Sequence, residues 1–239
     1  MNNLMLDVKD LIVTYGDILV IKNLSMHVNK GEIVGIIGPN GHGKTTLLRA
    51  ISGVIKPKSG KIFFENIDIT KMPPHKIVEL GIVHVPQGAK LWPKLTVEEN
   101  LLLGAYVSDA WKKRKENLEM VYKLFPALEK RRNKLCSTLS GGERQMVAIG
   151  RGLMSSAKLL MLDEPSLGLS PLMRRALLEK IPEIRDMGVT ILLVEQNIVF
   201  TSEFSDRLYL IEEGKITLQG SKDEVLSNNY VQKAYLGVM

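Results

Sequence analysis

Cysteine is all but missing from this chain of 239 residues. Cys136 stands alone, which excludes a disulfide framework and a cysteine-rich metal cluster. Long apolar runs are missing too. Stretches such as Val189–Val194 fall far short of the roughly 20 residues needed to span a bilayer. The start, Met-Asn-Asn-Leu-Met-Leu-Asp, has neither the basic flank nor the apolar stretch of a secretory signal, so export is not expected. Internal repeats and low-complexity linkers are absent, and His27, His75 and His84 have no metal-ligand spacing. What remains is an ordinary globular composition, 45% apolar and 24% charged, which excludes low-hydrophobicity disorder. The length suits one large domain, or a core carrying a sizeable insertion.

The net charge of +6 suggests nucleic-acid binding at first sight, but its distribution matters more than its total. Between Asp109 and Lys134 nine Lys/Arg face four acids, so that segment alone carries +5. The rest of the chain is nearly neutral. The basic segment reads as a solvated helical face, with attraction to an acidic membrane surface or a partner loop as the alternative. Contact with nucleic acid is a weaker third reading.

Apolar and β-branched runs predict strands at Leu4–Val8, Leu11–Tyr15, Leu24–Val28, Glu32–Gly38, Ile82–Pro86, Lys158–Leu162, Val189–Val194 and Leu208–Ile211. Helical stretches separate most of them, including one from Gly43 to about Ser52. Alternation of this kind predicts an α/β core with a mainly parallel sheet. From Thr96 to Ser155 the pattern is helical without strands. Thr96-Val-Glu-Glu99 is a capping box and Trp111–Phe125 has helical spacing. This block reads as an inserted helical subdomain.

Gly38-Pro-Asn-Gly-His-Gly-Lys-Thr45 fits G-x-x-x-x-G-K-[ST], after a buried strand and before a helix. Glycines let such a loop curl until its N–H groups form an anion nest. Lys44 then reaches the β/γ-phosphates of a nucleotide and the Thr45 hydroxyl ligates Mg²⁺. His42 reads as a tolerated, outward-facing member. Leu159-Leu-Met-Leu-Asp163-Glu164 is a second apolar strand ending in two acids. Asp163 is placed to hold Mg²⁺ through water and Glu164 to act as base on the attacking water. Leu139-Ser-Gly-Gly-Glu-Arg-Gln145 opens a further helix, Met146–Met154. Its Ser140 and Glu143 make a capping box, and two glycines in a first turn suit close approach by a second anion.

Gly38–Thr45, Leu139–Gln145 and Leu159–Glu164 together resemble the Walker A, signature and Walker B motifs of ABC-type ATPases. The resemblance implies a P-loop NTPase (RecA-like) core with a mainly parallel sheet, an N-terminal antiparallel β subdomain and an inserted helical subdomain. On that pattern residues 1–239 form one ABC ATPase domain, with 1–87 and 156–239 as nucleotide-binding core and 88–155 as the helical insertion. It implies ATP and Mg²⁺ as cofactors. Gly38, Pro39, Asn40, Gly41, His42, Gly43, Lys44, Thr45 and Thr46 would hold ATP, with Tyr15 stacked on the adenine and Gln87 at the Mg²⁺. Thr45, Gln87 and Asp163 would be the metal set; Glu164, Lys44 and Gln196 the catalytic one. In this family two cassettes pair head to tail, so Ser140, Gly141, Gly142 and Glu143 would serve the partner's ATP.

A narrower resemblance is carried by Ile69–His75, Leu95–Leu101, Ala148–Arg151, Asp163–Pro171, Val194–Asn197 and Ala234–Gly237. These are similar to LivF-type subunits, which power uptake of branched-chain amino acids. The partners implied are integral-membrane permease subunits, a sister ATPase or a second copy, and indirectly an extracytoplasmic binding protein, at the cytoplasmic face of the membrane. Nucleic acid is not expected. The usual histidine after the strand following Walker B is replaced by Gln196, which cannot become cationic. The usual aspartate of the inter-subunit loop is replaced by Gly168. LivF-type chains resemble this one in both respects. Slow turnover by the isolated chain is the expectation. Gln87, where many LivF-type chains carry glutamate, keeps a urea or amide importer open. Soluble ABC ATPases acting on nucleic acid usually carry long insertions, zinc modules or paired cassettes, none of which is present here. Trp92, between the Gln87 loop and the Thr96 helix, is a candidate for the permease contact. Trp111 and Phe125 read as packing residues, and Cys136 as a structural one.

Overall fold

A computed structural model describes residues 3–235. The last part of the Ala234–Gly237 motif, Leu236 and Gly237, lies outside the described residues. The strands, in chain order, are β1 (Leu4–Tyr15), β2 (Ile18–Asn29), β3 (Ile33–Ile37), β4 (Ser59–Phe64), β5 (Ile67–Asp68), β6 (Ile82–Val85), β7 (Leu159–Asp163), β8 (Thr190–Val194), β9 (Arg207–Glu212) and β10 (Lys215–Ser221). The chain divides into two compact units, Met1–Ile77 with Thr190–Met239, and Val78–Val189.

The first unit holds two sheets. In one, β1 pairs antiparallel with both β2 and β4, giving the order β2-β1-β4-β5. Two sequence-predicted strands, Leu4–Val8 and Leu11–Tyr15, are a single strand here. Asp10 adopts positive φ (48°) and the register slips between Val8 and Leu11, so a bulge breaks the alternation that a sequence reader follows. The Asp10 N–H donates to Ser25 Oγ at 2.8 Å, which holds the bulge. Strands β4 and β5 turn at Glu65-Asn66, both at positive φ (46° and 67°), as a two-residue hairpin requires.

The other sheet of this unit has the order β10-β9-β3-β8, with β3 parallel to β8 and β9, and β10 antiparallel to β9. Every residue of β3 and β8 is buried, which is why both read as unbroken apolar runs. Ile37, Leu208 and Leu210 pack with Ile198, Val225 and Val231 from the helices Ile198–Phe204, Lys222–Ser227 and Asn229–Tyr235. Burying one such side chain contributes about 1.5–3 kcal/mol. The helix Lys44–Ile51 follows β3 directly.

In the second unit β6 and β7 pair in parallel, Ile82 opposite Leu159. Helices Val97–Leu102, Ser108–Lys112, Arg114–Leu124, Pro126–Glu129 and Gly141–Leu153 lie between them in sequence, with no named strand. The expected helix Trp111–Phe125 is broken at Lys113. The signature helix begins five residues earlier than Met146. Its N-cap is Ser140, and Glu143 closes the capping box that the sequence already contained. Among the described residues no helix is long and apolar enough to cross a membrane.

Candidate nucleotide site

In the first unit the loop 38–43 bends sharply between β3 and its helix. Gly38, Gly41 and Gly43 all adopt positive φ (143°, 81° and 103°). At Gly38 the requirement is twofold, since a side chain would also run into the Ile211 carbonyl oxygen. The helix Lys44–Ile51 has no side-chain cap and no acid in its first turn, so its N-terminal dipole is left for an anion. Lys44 is buried and arches over the loop, its Nζ donating to Gly38 O at 2.8 Å and Pro39 O at 3.0 Å. Thr45 is half-buried and Thr46 buried. His42 does not face freely outward as expected. It is half-buried, and its Nδ1 accepts the Glu213 N–H at 3.0 Å.

Tyr15, at the end of β1, is exposed, and its hydroxyl accepts from Arg49 at 3.4 Å. Gln196 is exposed at the C-terminal end of β8, just before Asn197. Asn197 caps the next helix by accepting the Phe200 N–H at 3.1 Å.

The second unit carries the acids. Asp163 ends β7 and is 1% exposed. Glu164 follows in the left-handed region (φ 46°), a conformation uncommon for such a residue and frequent at functional sites. Its Oε2 accepts from Gln87 Nε2 at 3.3 Å, so the sequence-predicted Gln87 and Glu164 do meet. His84, set aside by the sequence reading, has Nε2 3.9 Å from Asp163 Oδ2. Gly168 adopts φ 74°, which glycine takes without strain and which an aspartate would take at some cost.

In the signature, Ser140 Oγ accepts the Glu143 N–H at 3.3 Å and Glu143 Oε2 accepts the Ser140 N–H at 2.9 Å. Arg131 Nε lies 2.6 Å from Glu143 Oε1, so the Glu143 carboxylate is held from both sides. Gly141 is exposed and Gly142 buried against Met173.

These elements match known proteins across nearly the whole chain. Residues 21–167 match the ABC transporter family. The branched-chain amino acid transport ATP-binding protein BraG of Pseudomonas aeruginosa is 43% identical, over 93% of this chain and 95% of its own length. LivF of Archaeoglobus fulgidus, described as a probable branched-chain amino acid transport ATP-binding protein, is 37% identical over 94% and 95%. The ADP conformation of MJ1267, an ATP-binding cassette of an ABC transporter, superposes with a TM-score of 0.83 at 30% identity, covering 98% of this chain and 99% of that one. The chain belongs to the ABC transporter family. It is an ATP-binding, ATP-hydrolysing subunit of a transporter, with the α/β P-loop fold that its motifs implied.

Two residues of this cassette matter more than sequence reasoning allowed. Arg151, at the end of the signature helix, donates from Nη2 to Ala89 O (3.2 Å) and Lys90 O (2.9 Å) and stacks 5.0 Å from the Trp92 ring. Ala89 and Lys90 both stand at positive φ (60° and 44°), so the guanidinium clasps a strained segment just beyond Gln87. Burial lowers the Arg151 pKa. Asn100, fully buried, accepts the Trp92 N–H and donates to Trp92 O, both at 3.0 Å. Both residues stood inside family-like motifs. Nothing local showed the task of Arg151, because its partners are backbone groups 61 and 62 residues away.

Proposed function

We propose that this ATPase energises an importer of branched-chain amino acids. The observation that carries the reading is end-to-end similarity to two relatives named for branched-chain amino acid transport, at 43% and 37% identity. In this reading the chain sits at the cytoplasmic face of the membrane on integral-membrane permease subunits. It pairs head to tail with a sister ATPase or a second copy, and an extracytoplasmic binding protein delivers the substrate.

At the chemical level, the N–H groups of residues 38–43 and the Lys44 ammonium hold the β/γ-phosphates, with Tyr15 against the adenine. Thr45, Gln87 and Asp163 are hard oxygen donors of the kind Mg²⁺ prefers. Mg²⁺ in such sites is bound by one or two protein oxygens together with substrate phosphates and water. When bound, Mg²⁺ neutralises charge developing on the β/γ-phosphate oxygens. Glu164 takes the proton of the water that attacks the γ-phosphorus, and Gln87 orients the Glu164 carboxylate. Gln196 hydrogen-bonds a phosphate oxygen without carrying charge, so the isolated chain turns over slowly. In the signature, the Ser140 hydroxyl accepts in its cap and keeps its proton for the partner's γ-phosphate, beside Gly141, Gly142 and Glu143.

Similarity to the lipopolysaccharide export protein LptB of Escherichia coli (32% identity over 97% of each chain) makes transport direction the point to test. Cells lacking the chain should lose uptake of labelled leucine, with valine and isoleucine competing in cells that retain it. Intact leucine uptake alongside lost urea uptake would overturn the substrate assignment, and loss of neither would overturn the importer.

A further inference from the structure

The β9–β10 turn meets the middle of the phosphate loop through one imidazole. Its two residues, Glu213 and Gly214, both adopt positive φ (48° and 79°), the geometry of a tight hairpin. Several bonds fix this turn. Gly214 O accepts the Lys22 N–H of β2 at 2.9 Å. Just before the turn, Glu212 Oε1 accepts the hydroxyls of Tyr230 (2.6 Å) and Tyr235 (2.7 Å), and its Oε2 accepts from Thr217 (2.7 Å). Burial works against that carboxylate, but the three hydroxyl bonds outweigh it and hold its pKa below the ordinary value. The turn then offers both its N–H groups to one residue. Glu213 N donates to His42 Nδ1 at 3.0 Å, and Gly214 N donates to His42 O at 3.2 Å.

His42 stands between Gly41 and Gly43, two of the loop's three glycines, which have little intrinsic reason to hold one conformation. We propose that His42 is a positioning residue for nucleotide binding: its Nδ1 and its carbonyl pin the phosphate loop to the Glu213–Gly214 turn, holding the anion nest in shape before ATP arrives. The imidazole acts here as an acceptor, so its Nδ1 carries no proton and Nε2 carries it. Without the pin, the loop must be ordered by the nucleotide itself, and the apparent affinity falls by the fraction of loops already in place.

This rests on the reading of residues 38–45 as the phosphate-binding element, and the test separates the two. Binding of methylanthraniloyl-ATP, steady-state ATPase rates and thermal melting are measured for the full chain, His42→Ala, His42→Asn and Lys44→Ala. The His42→Ala variant should raise both Kd and KM about 5- to 20-fold, while kcat at saturating ATP stays within about twofold. In His42→Asn the side-chain oxygen takes the place of Nδ1, and affinity should return to within about twofold of the parent. Unchanged affinity in His42→Ala overturns the proposal, and so does an asparagine variant that binds as weakly as the alanine one. If asparagine restores the melting temperature but not the affinity, His42 is merely structural and the proposal fails. Should Lys44→Ala bind nucleotide normally, the reading of the loop itself falls. When Lys44→Ala weakens binding and His42→Ala does not, only the positioning role is lost.

Discussion

The phosphate loop and the segment after Gln87 are both irregular connections leaving a buried strand, yet they are bent by different means. The loop is bent by glycines at positive φ and closed by Lys44 on its own carbonyls, with the His42 bonds to the Glu213–Gly214 turn added from far along the chain. The segment beyond Gln87 bends at Ala89 and Lys90, which are not glycines, and is held there by Arg151, 61 to 62 residues further along, while Asn100 fixes the neighbouring Trp92. A loop built from its own backbone leaves a motif in the sequence. A segment held by remote side chains leaves none, and its posture can respond to whatever moves those helices.

The largest effect expected in breaking this comparison comes from Glu164→Gln. Glutamine keeps an oxygen that can accept from Gln87 Nε2, so the posture of the segment survives while the proposed base is lost. Hydrolysis should fall at least about 100-fold with nucleotide affinity retained, measured as single-turnover rate against equilibrium binding. Normal hydrolysis in this variant would remove Glu164 from its assigned role.

Next in size is Arg151→Ala, which strips Ala89 O and Lys90 O of a charged donor and uncovers Trp92. Urea denaturation should show a loss of about 2–4 kcal/mol. Arg151→Lys should recover less than half of it, since a lysine ammonium neither forks between two carbonyls nor stacks as a guanidinium does. If lysine restores full stability, the clasp is a matter of charge alone and the contrast between the two connections weakens.

The smallest effect probes the framework beneath the phosphate loop. Glu32, just before β3, accepts Arg207 Nε at 2.7 Å and the Asn29 N–H at 2.9 Å. Burial pushes its pKa up, but these bonds outweigh it and leave it below the ordinary value for a glutamate. A lowered folded-state pKa means stabilisation that is complete above pH 4.5 and lost as pH falls through the folded value. Melting curves from pH 6 to pH 3 should therefore show an acid limb shallower in Glu32→Gln, with a stability cost near neutrality of about 1–2 kcal/mol. Identical limbs in the two proteins would show that the Arg207 pair contributes nothing.

The same contrast explains what could be read from the chain alone. Strands β3, β7 and β8 were legible because burial on both faces demands unbroken apolar runs. The helix starts at Thr96 and Ser140 were legible because a capping box is a local device. Strand β10 was not, since alternate residues are exposed and Lys215–Ser221 contains no apolar run. The split of β1 into two was a misreading caused by the bulge at Asp10, whose partner Ser25 is 15 residues away. At the candidate site, the motif residues could be named from the chain alone. Arg151 and the side chain of His42 could not, as each acts on backbone far along the chain.

Cys136 has a practical consequence. The chain's single thiol is 1% exposed, its Sγ accepts from Asn100 at 3.1 Å, and burial raises its pKa. Thiolate is the reactive form, so maleimides should leave this native sulfur alone while the protein is folded. A cysteine introduced at an exposed surface position would then take a fluorophore or spin label selectively, with no need to remove the native one. Labelling of Cys136 itself would begin only on unfolding, which makes the natural sequence its own reporter of global opening.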